Sequence, residues 1–302
     1  MTTATADRPL LGIALMCGFC VLAPVSDALA KLLGGLVPLG MLMLVRFGAM
    51  VILMAPLALL GRASFRLTPR LWKLTVARTV SQMGGITFMF SGLRFLPLAD
   101  AVAIRFVFPF ILLIFGKLFL HEQVGPHRLI ACGVGFIGTL CVIQPNFALF
   151  GLPALLPAIS AVFFALYILV SRAMAKDMDP QAAQTICGLQ ACAMLIPVLL
   201  WGPIPVLSLV QPDPYTTQLL VGLGIVGCAS HLFMSWSLRF APSATLAPMQ
   251  YLEIPVSALI GWLIWSSLPN GLAAVGICIT IGAGLYIILR ERAIARAQTG
   301  AL

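Results

Sequence analysis

Charge is scarce in this sequence, and negative charge is scarcest: nine acidic residues among 302, with 9% charged residues in all. A soluble globular domain carries about 25% charged residues, so this chain lacks the polar surface to face water on every side. Histidine is rarer still, at three. The stretch HEQVGPH (121–127) sets two of them six apart, whereas the zinc-protease pattern H-E-x-x-H brings both to one helical face. Neither G-x-S-x-G nor a glycine-rich loop ending in Lys-Ser or Lys-Thr occurs, which removes the serine-hydrolase elbow and a phosphate cradle for ATP. Cysteines 17, 20, 132, 141, 187, 192, 228 and 278 all fall in apolar segments. Cys17 and Cys20 make a C-x-x-C with no second pair or nearby His, so they read as small apolar packing. No catalysis, no metal and no cofactor is expected.

Apolar sequence is abundant: 61% of residues are hydrophobic and the mean hydropathy is +1.07. A bilayer-spanning helix needs about 20 mostly apolar residues. Runs of that length recur at 10–33, 39–60, 71–93, 97–120, 126–145, 150–172, 182–202, 216–238, 242–265 and 271–290. The expectation is an all-α integral membrane protein of ten transmembrane helices. The third run is the most polar, with Arg78, Ser81 and Gln82. Ala28-Leu29-Ala30 resembles a signal-peptidase site, but Asp27 interrupts the approach and no soluble domain follows, so the segment is read as retained.

Lysine and arginine set the orientation. With the N-terminus cytoplasmic, Arg8, Arg62, Arg66, Arg70, Lys73, Arg128, Arg172, Lys176, Arg239, Arg290, Arg292 and Arg296 fall on the cytoplasmic side, and only Lys31 and Arg94 on the other. Both termini are therefore expected in the cytoplasm, the chain in the inner membrane. The net charge of +9 records topology and contact with the lipid bilayer, not nucleic acid. A monomer is expected.

The chain also repeats. FMFSGLRFLP (88–97) and FMSWSLRFAP (233–242) share Phe, Met, Leu, Arg, Phe and Pro at an offset of 145. Each is followed by a run with a mid-segment proline, Pro109 and then Pro255, expected to kink a continuous helix, and by a glycine-rich closing run. Ten helices thus divide into residues 10–145 and 150–290, with tails at 1–9 and 291–302. Five helices per copy force the second copy to enter the membrane inverted. Inverted repeats mark secondary transporters, which bind cargo near the midplane between the copies.

Those two stretches, LPLADAVAIRFVFPFILLIFGKLFLHEQVGPHRLIACGVGFIGTLCVIQP and APSATLAPMQYLEIPVSALIGWLIWSSLPNGLAAVGICITIGAGLYIILR, resemble paired EamA domains of the drug/metabolite transporter superfamily. The resemblance implies alternating access around a cavity lined by helices 1, 3, 4, 6, 8 and 9. It implies a small organic cargo, an amino acid or related metabolite for export, with uptake of a riboflavin-like or S-adenosylmethionine-like compound as the alternative and a channel behind both. Family members often carry an acid in the last turn of each copy. Glu122 supplies it in the first, whereas Ser266 and Ser267 stand there in the second.

Charges inside apolar runs are costly, about 2.5–3.5 kcal/mol at a helix centre, and mark pathways or counter-ions. Glu253 is the clearest case, with Gln250 one turn earlier on the same face. Pro255 donates no hydrogen bond to the Tyr251 carbonyl. Glu253 therefore reads as a cargo or proton contact, or as the partner of a buried arginine. Arg105 stands opposite Gln250 in the repeat; it reads as a bidentate clamp for a carboxylate or as the neutraliser of Glu253 or Asp27. Asp27 reads as a partner of Lys31, four residues on, or as a proton carrier. Arg78 and Gln82 share a face of the third helix that is expected to look inward. His231, Tyr167 and Trp236 are candidates for contact with a ring-bearing cargo. Arg46 is expected in a peripheral structural pair, and Lys117 is expected to snorkel.

Overall fold

The computed structural model describes residues 8–96, 98–120, 125–143, 151–201, 209–266 and 271–299. Twelve α-helices run through them: α1 (Pro9–Leu33), α2 (Leu39–Leu60), α3 (Pro69–Leu93), α4 (Leu98–Arg105), α5 (Phe108–Phe119), α6 (Pro126–Ile143), α7 (Leu155–Met174), α8 (Pro180–Trp201), α9 (Pro214–Phe240), α10 (Ser243–Leu246), α11 (Glu253–Trp265) and α12 (Gly271–Thr299). No strand occurs among the described residues. Among the described residues five segments are long and apolar enough to cross a membrane: Pro9–Leu33, Leu39–Leu60, Leu152–Met174, Pro180–Leu200 and Pro214–Phe240. The turn residues Glu122 and Ser267 lie outside the described residues.

Prolines start the helices because the first turn has no use for their missing N–H. Thr68 caps α3 by accepting from the Leu71 amide (3.2 Å), and Asp213 caps α9 by accepting from Thr216 (3.0 Å). Both caps precede a proline at N1, Pro69 and Pro214, and the two pairs stand 145 residues apart. The internal repeat therefore extends to its helix signals.

The fourth and ninth apolar runs differ from the expected continuous, kinked helices: each is broken in two. The first breaks after Arg105 and restarts at Phe108; the second passes through a 3-10 turn, Ala247–Leu252, before α11 starts at Glu253. α4 begins at 98 and α10 at 243, α5 at 108 and α11 at 253, so the whole break recurs at the same offset. Pro109 and Pro255 consequently sit in the first turn of α5 and α11, where proline is tolerated, and not in a helix interior. The carbonyl expected to be freed at Tyr251 is engaged instead: the Glu253 amide turns back to the Gln250 carbonyl in 3-10 fashion and also contacts the Tyr251 carbonyl, two residues back. The last helix also runs past 290, to Thr299.

Packing follows the repeat. α1 lies along α9 and α3 along α7; α5 packs on α7 and α11 on α1; α2 pairs with α8 and α6 with α12. Exchanging the halves maps this set of contacts onto itself, which describes a pseudo-two-fold bundle. The Arg8 amide donates to the Phe240 carbonyl (2.9 Å), so the start of α1 meets the end of α9. Gly92 near the end of α3 meets Pro157 near the start of α7. α1 and α7, the first helices of the two copies, therefore run in opposite senses.

One face of the bundle gathers the start of α3 with the end of α7 and start of α8, through a small core of Leu71, Met174, Met178, Ala182, Ala183 and Ile186. Arg239 bonds Asp179 there at 2.7 Å, Arg172 donates to the Leu238 carbonyl at 2.6 Å, and Arg70 stands 3.8 Å from Asp177. We refer to it as the basic face. On the opposite face, Lys31 donates to the Leu96 carbonyl (2.7 Å) and Arg94 to the Val37 carbonyl (3.2 Å).

α6 and α12 approach closely because Gly138 lacks a side chain. A Cβ there would lie 2.9 Å from the Gly276 carbonyl and from the methyl groups of Ile279 and Thr280. Gly138→Val is expected to push the helices apart and lower stability by about 1–3 kcal/mol, as overpacking does. Thermal unfolding in detergent measures it, and an unshifted midpoint would show this contact to be loose.

Candidate functional site

The interior holds an unusual set of polar side chains for so apolar a chain. α3 contributes five of them within two turns: Thr75, Arg78, Thr79, Ser81 and Gln82, all buried. They come together with charges from α1, α2, α4 and α11 in three groups.

The first group lines a cavity of about 30 Å³, roomy enough to admit water. Asp27, Arg46, Gln82, Arg105, Ser160, Ser230 and His231 supply its polar wall, and Phe19, Phe90 and Phe164 its aromatic one. The helices are α1, α2, α3, α4, α7 and α9, so both copies contribute. Phe19 stacks on Phe164 with ring centroids 6.2 Å apart, and Phe108 meets Phe164 edge-on at 5.0 Å. Four polar side chains of this wall each keep one buried atom with no hydrogen-bond partner among the described residues. Two are acceptors, Asp27 Oδ2 and Gln82 Oε1, and two are donors, Arg46 Nε and Arg105 Nε. Leaving such groups unsatisfied is expensive.

The second group is an ion cluster behind the wall. Arg105 Nη2 donates to Glu253 Oε2 at 3.0 Å and stands 3.4 Å from Asp27 Oδ2, while its guanidinium lies 5.2 Å over the Phe164 ring. Glu253 is fully buried and does not line the cavity. Its position at the first residue of α11 sets the carboxylate at a helix N-terminus, where the dipole favours negative charge. Gln250, in the preceding 3-10 turn, is also fully buried and outside the cavity wall, and neither of its amide atoms has a partner among the described residues. Of the two carboxylates on Arg105, Asp27 is the one that reaches the cavity. Asp27 does not pair with Lys31, contrary to the expectation from their spacing. One turn nearer the helix end, Lys31 reaches the carbonyls of Leu93 and Leu96 and lies over Trp265.

The third group lies toward the basic face. Arg78 donates to Ser171 (2.9 Å), Tyr167 (2.9 Å) and Ser235 (3.1 Å), with its guanidinium 4.8 Å over the Tyr167 ring. The Tyr167 hydroxyl meets His231 Nδ1 at 3.0 Å. A continuous hydrogen-bonded chain therefore leads from the cavity wall at His231 to Arg78, crossing α9, α7 and α3. Arg78 and Tyr167 stand behind the cavity and not in it. Trp236 is elsewhere: it stacks on Phe240 (5.9 Å) and carries Arg239 over its ring (5.7 Å) near the end of α9.

Arg46 departs furthest from its expected place. It lines the cavity, 4% exposed, instead of pairing at the periphery. The penalty for a charge in an apolar helix applied to it as fully as to Glu253, and was the signal available. Ser160, Ser230 and the three phenylalanines carried no such signal. Among the described residues no group of His, Cys, Asp and Glu could hold a metal, and all eight cysteines are free thiols.

Known proteins agree with this architecture. A solved crystal structure superposes with a TM-score of 0.72 over 94% of this chain and 98% of its own, at 22% identity, which is a likeness of fold. Among curated proteins the chain is 25% identical to a riboflavin transporter of Brucella anthropi, over 74% of this chain and 78% of that one. It is 24% identical to an S-adenosylmethionine uptake transporter of Rickettsia prowazekii, over 69% of each. It is 26% identical to a pseudopaline exporter of Pseudomonas aeruginosa, over 70% of each. These relatives are small-molecule transporters, moving cargo in either direction. The model of the EamA-like transporter family matches twice, at residues 10–144 and 151–290, one match for each half of the pseudo-symmetric bundle, and the chain therefore belongs to that family of membrane transporters.

Proposed function

We propose that the chain is an inner-membrane secondary transporter with ten membrane crossings, which carries a small zwitterionic metabolite of the amino-acid type by alternating access. The observation that carries the reading is the cavity between the copies. Asp27 and Gln82 offer acceptors there, Arg46 and Arg105 offer donors, and among the described residues all four keep a buried polar atom without a hydrogen bond. A molecule bearing an ammonium and a carboxylate satisfies both kinds at once. S-adenosylmethionine, the cargo named for one group of relatives, is such a zwitterion. The aromatic wall of Phe19, Phe90 and Phe164 favours a second reading, a planar ring like that of riboflavin.

A cavity of about 30 Å³ is too small for either cargo, so transport requires the halves to move apart. The duplicated breaks at 105–108 and 247–253 give each half a point at which to bend. Alternating access is reversible, and the gradients decide whether cargo leaves or enters.

Reconstitution in proteoliposomes tests the reading. Flux should saturate, show counterflow, and be inhibited by zwitterionic amino acids more than by riboflavin. Single-channel currents without counterflow would defeat the carrier reading, and inhibition by riboflavin alone would favour the second cargo.

Orientation is tested separately. With both termini cytoplasmic, single cysteines at Arg66 and Lys176 should react only from the cytoplasmic side and one at Asp213 only from outside. Reaction of position 66 from outside would reverse the assignment of the basic face.

A further inference from the structure

We propose that Arg46 selects the cargo by its carboxylate, and that Arg105, for which the sequence offers either that role or the neutralising of Glu253 or Asp27, is committed to the second and holds the protein together. The inference rests on the cavity being the cargo site.

Both guanidiniums line the cavity, yet their charges are met differently. Arg105 Nη2 already faces two acids, Glu253 at 3.0 Å and Asp27 at 3.4 Å. Among the described residues no carboxylate lies within 4.0 Å of Arg46. Its contacts are the Ser26 hydroxyl, to which Nη1 donates, and the Phe90 ring at 5.6 Å. A guanidinium has five N–H donors in a fixed fork, and the Nε of Arg46 is buried without a partner. A buried charge with no carboxylate at pairing distance is costly to maintain. An incoming carboxylate lowers that cost at Arg46 and has little to offer Arg105.

The fork is also held in place. At Gly227 on α9 an added Cβ would lie 2.6 Å from Nη1 of Arg46 and 2.9 Å from its Cζ, and 3.4 Å from the Ser26 hydroxyl. The guanidinium thus rests against bare backbone, in a slot formed by Ser26 of α1 and Gly227 of α9. Three helices from both copies fix its direction. In the same cavity Asp27 offers a carboxylate whose Oδ2 stands 3.4 Å from Arg105 and has no hydrogen-bond partner among the described residues, open to the ammonium of the same molecule.

The slot provides a test that leaves the charge in place. Gly227→Ala should displace the fork by steric contact alone; Arg46→Lys keeps the charge and loses the bidentate geometry; Arg46→Gln removes the charge. Each variant, with wild type and Asp27→Asn, is reconstituted in proteoliposomes loaded with a mixture of the twenty amino acids, or with the same mixture as carboxamides. Efflux is followed by mass spectrometry, and thermal unfolding in detergent reports folding.

Wild type should release the carboxylates at least tenfold faster than the amides. Arg46→Gln and Gly227→Ala should bring that ratio close to one, with Arg46→Lys between. Asp27→Asn should lower flux and keep the ratio. A wild-type ratio retained in Arg46→Gln and Gly227→Ala, while Asp27→Asn is impaired, would overturn the assignment of Arg46 and leave the cavity as the cargo site. A wild type that moves neither mixture would overturn the amino-acid reading and this inference with it. Should Arg46→Gln fail to fold, Arg46→Lys and Gly227→Ala decide by the same ratio.

Discussion

Arg105→Met is expected to be the most destabilising single substitution in the bundle, at about 3–5 kcal/mol, the range for breaking a buried ion pair by removing one partner. Its guanidinium is the shared counter-charge of Glu253 and Asp27, one fully buried and the other 6% exposed. Without it two carboxylates face each other in an apolar interior. Glu253→Gln should cost less, about 1.5–3 kcal/mol for a charged hydrogen bond, because Arg105 keeps Asp27. The order of the two effects is the informative quantity. In Arg105→Met, replacing Glu253 with Leu as well should recover part of the loss, since apolar residues in place of a buried pair are often neutral or better. Thermal unfolding of the purified variants in detergent gives the comparison. Greater damage from Glu253→Gln than from Arg105→Met would show that Glu253 has a buried partner more important than Arg105.

That comparison also bears on what the sequence could reveal. The repeat was legible in FMFSGLRFLP and FMSWSLRFAP, and the structure extends the same offset to the caps at Thr68 and Asp213 and to both helix breaks. The breaks themselves were not legible. A proline in an apolar run is compatible with a kink or with a fresh start, and only the 3-10 turn before Glu253 distinguishes them. Pairing of charges is legible in part: the sequence offers Arg105 as the neutraliser of Glu253 or Asp27, and it stands beside both, whereas the other partner offered for Asp27, Lys31 four residues on, bonds the Leu93 and Leu96 carbonyls. The true neighbour of Asp27 is Arg105, on another helix, as Glu253 is 148 residues from the guanidinium that holds it. Arg46 was judged by the reputation of its helix. Its place against Gly227 depends on how α2 meets α9, which no local pattern encodes.

Arg78→Leu is expected to open the cavity toward the basic face. Arg78 is 1% exposed and donates to Ser171, Tyr167 and Ser235, so one side chain on α3 ties together α7 and α9, both from the second copy. The Tyr167 hydroxyl passes the connection to His231 on the cavity wall. Under the proposed alternating access one side closes at a time, and this hub is expected to close the side that also holds the Arg239–Asp179 pair. Hydrogen bonds to a charged group contribute about 1.5–3 kcal/mol each, while about 1.4 kcal/mol shifts a two-state equilibrium tenfold. Loss of even one such bond should therefore be measurable, and loss of three should dominate. A single cysteine placed at Ser230, inside the cavity, reports the outcome. Its labelling by a membrane-impermeant reagent from the basic face should rise at least tenfold in Arg78→Leu and less in Tyr167→Phe, which removes one bond only. Counterflow should fall in the same order, because a carrier biased toward one open state completes fewer cycles. Arg78→Lys should lie between wild type and Arg78→Leu, keeping the charge but not the three directions of the fork. Unchanged protection of the Ser230 cysteine in Arg78→Leu would mean that the packing of α3 against α7 closes this side by itself, with the arginine network a consequence of the closure and not its cause.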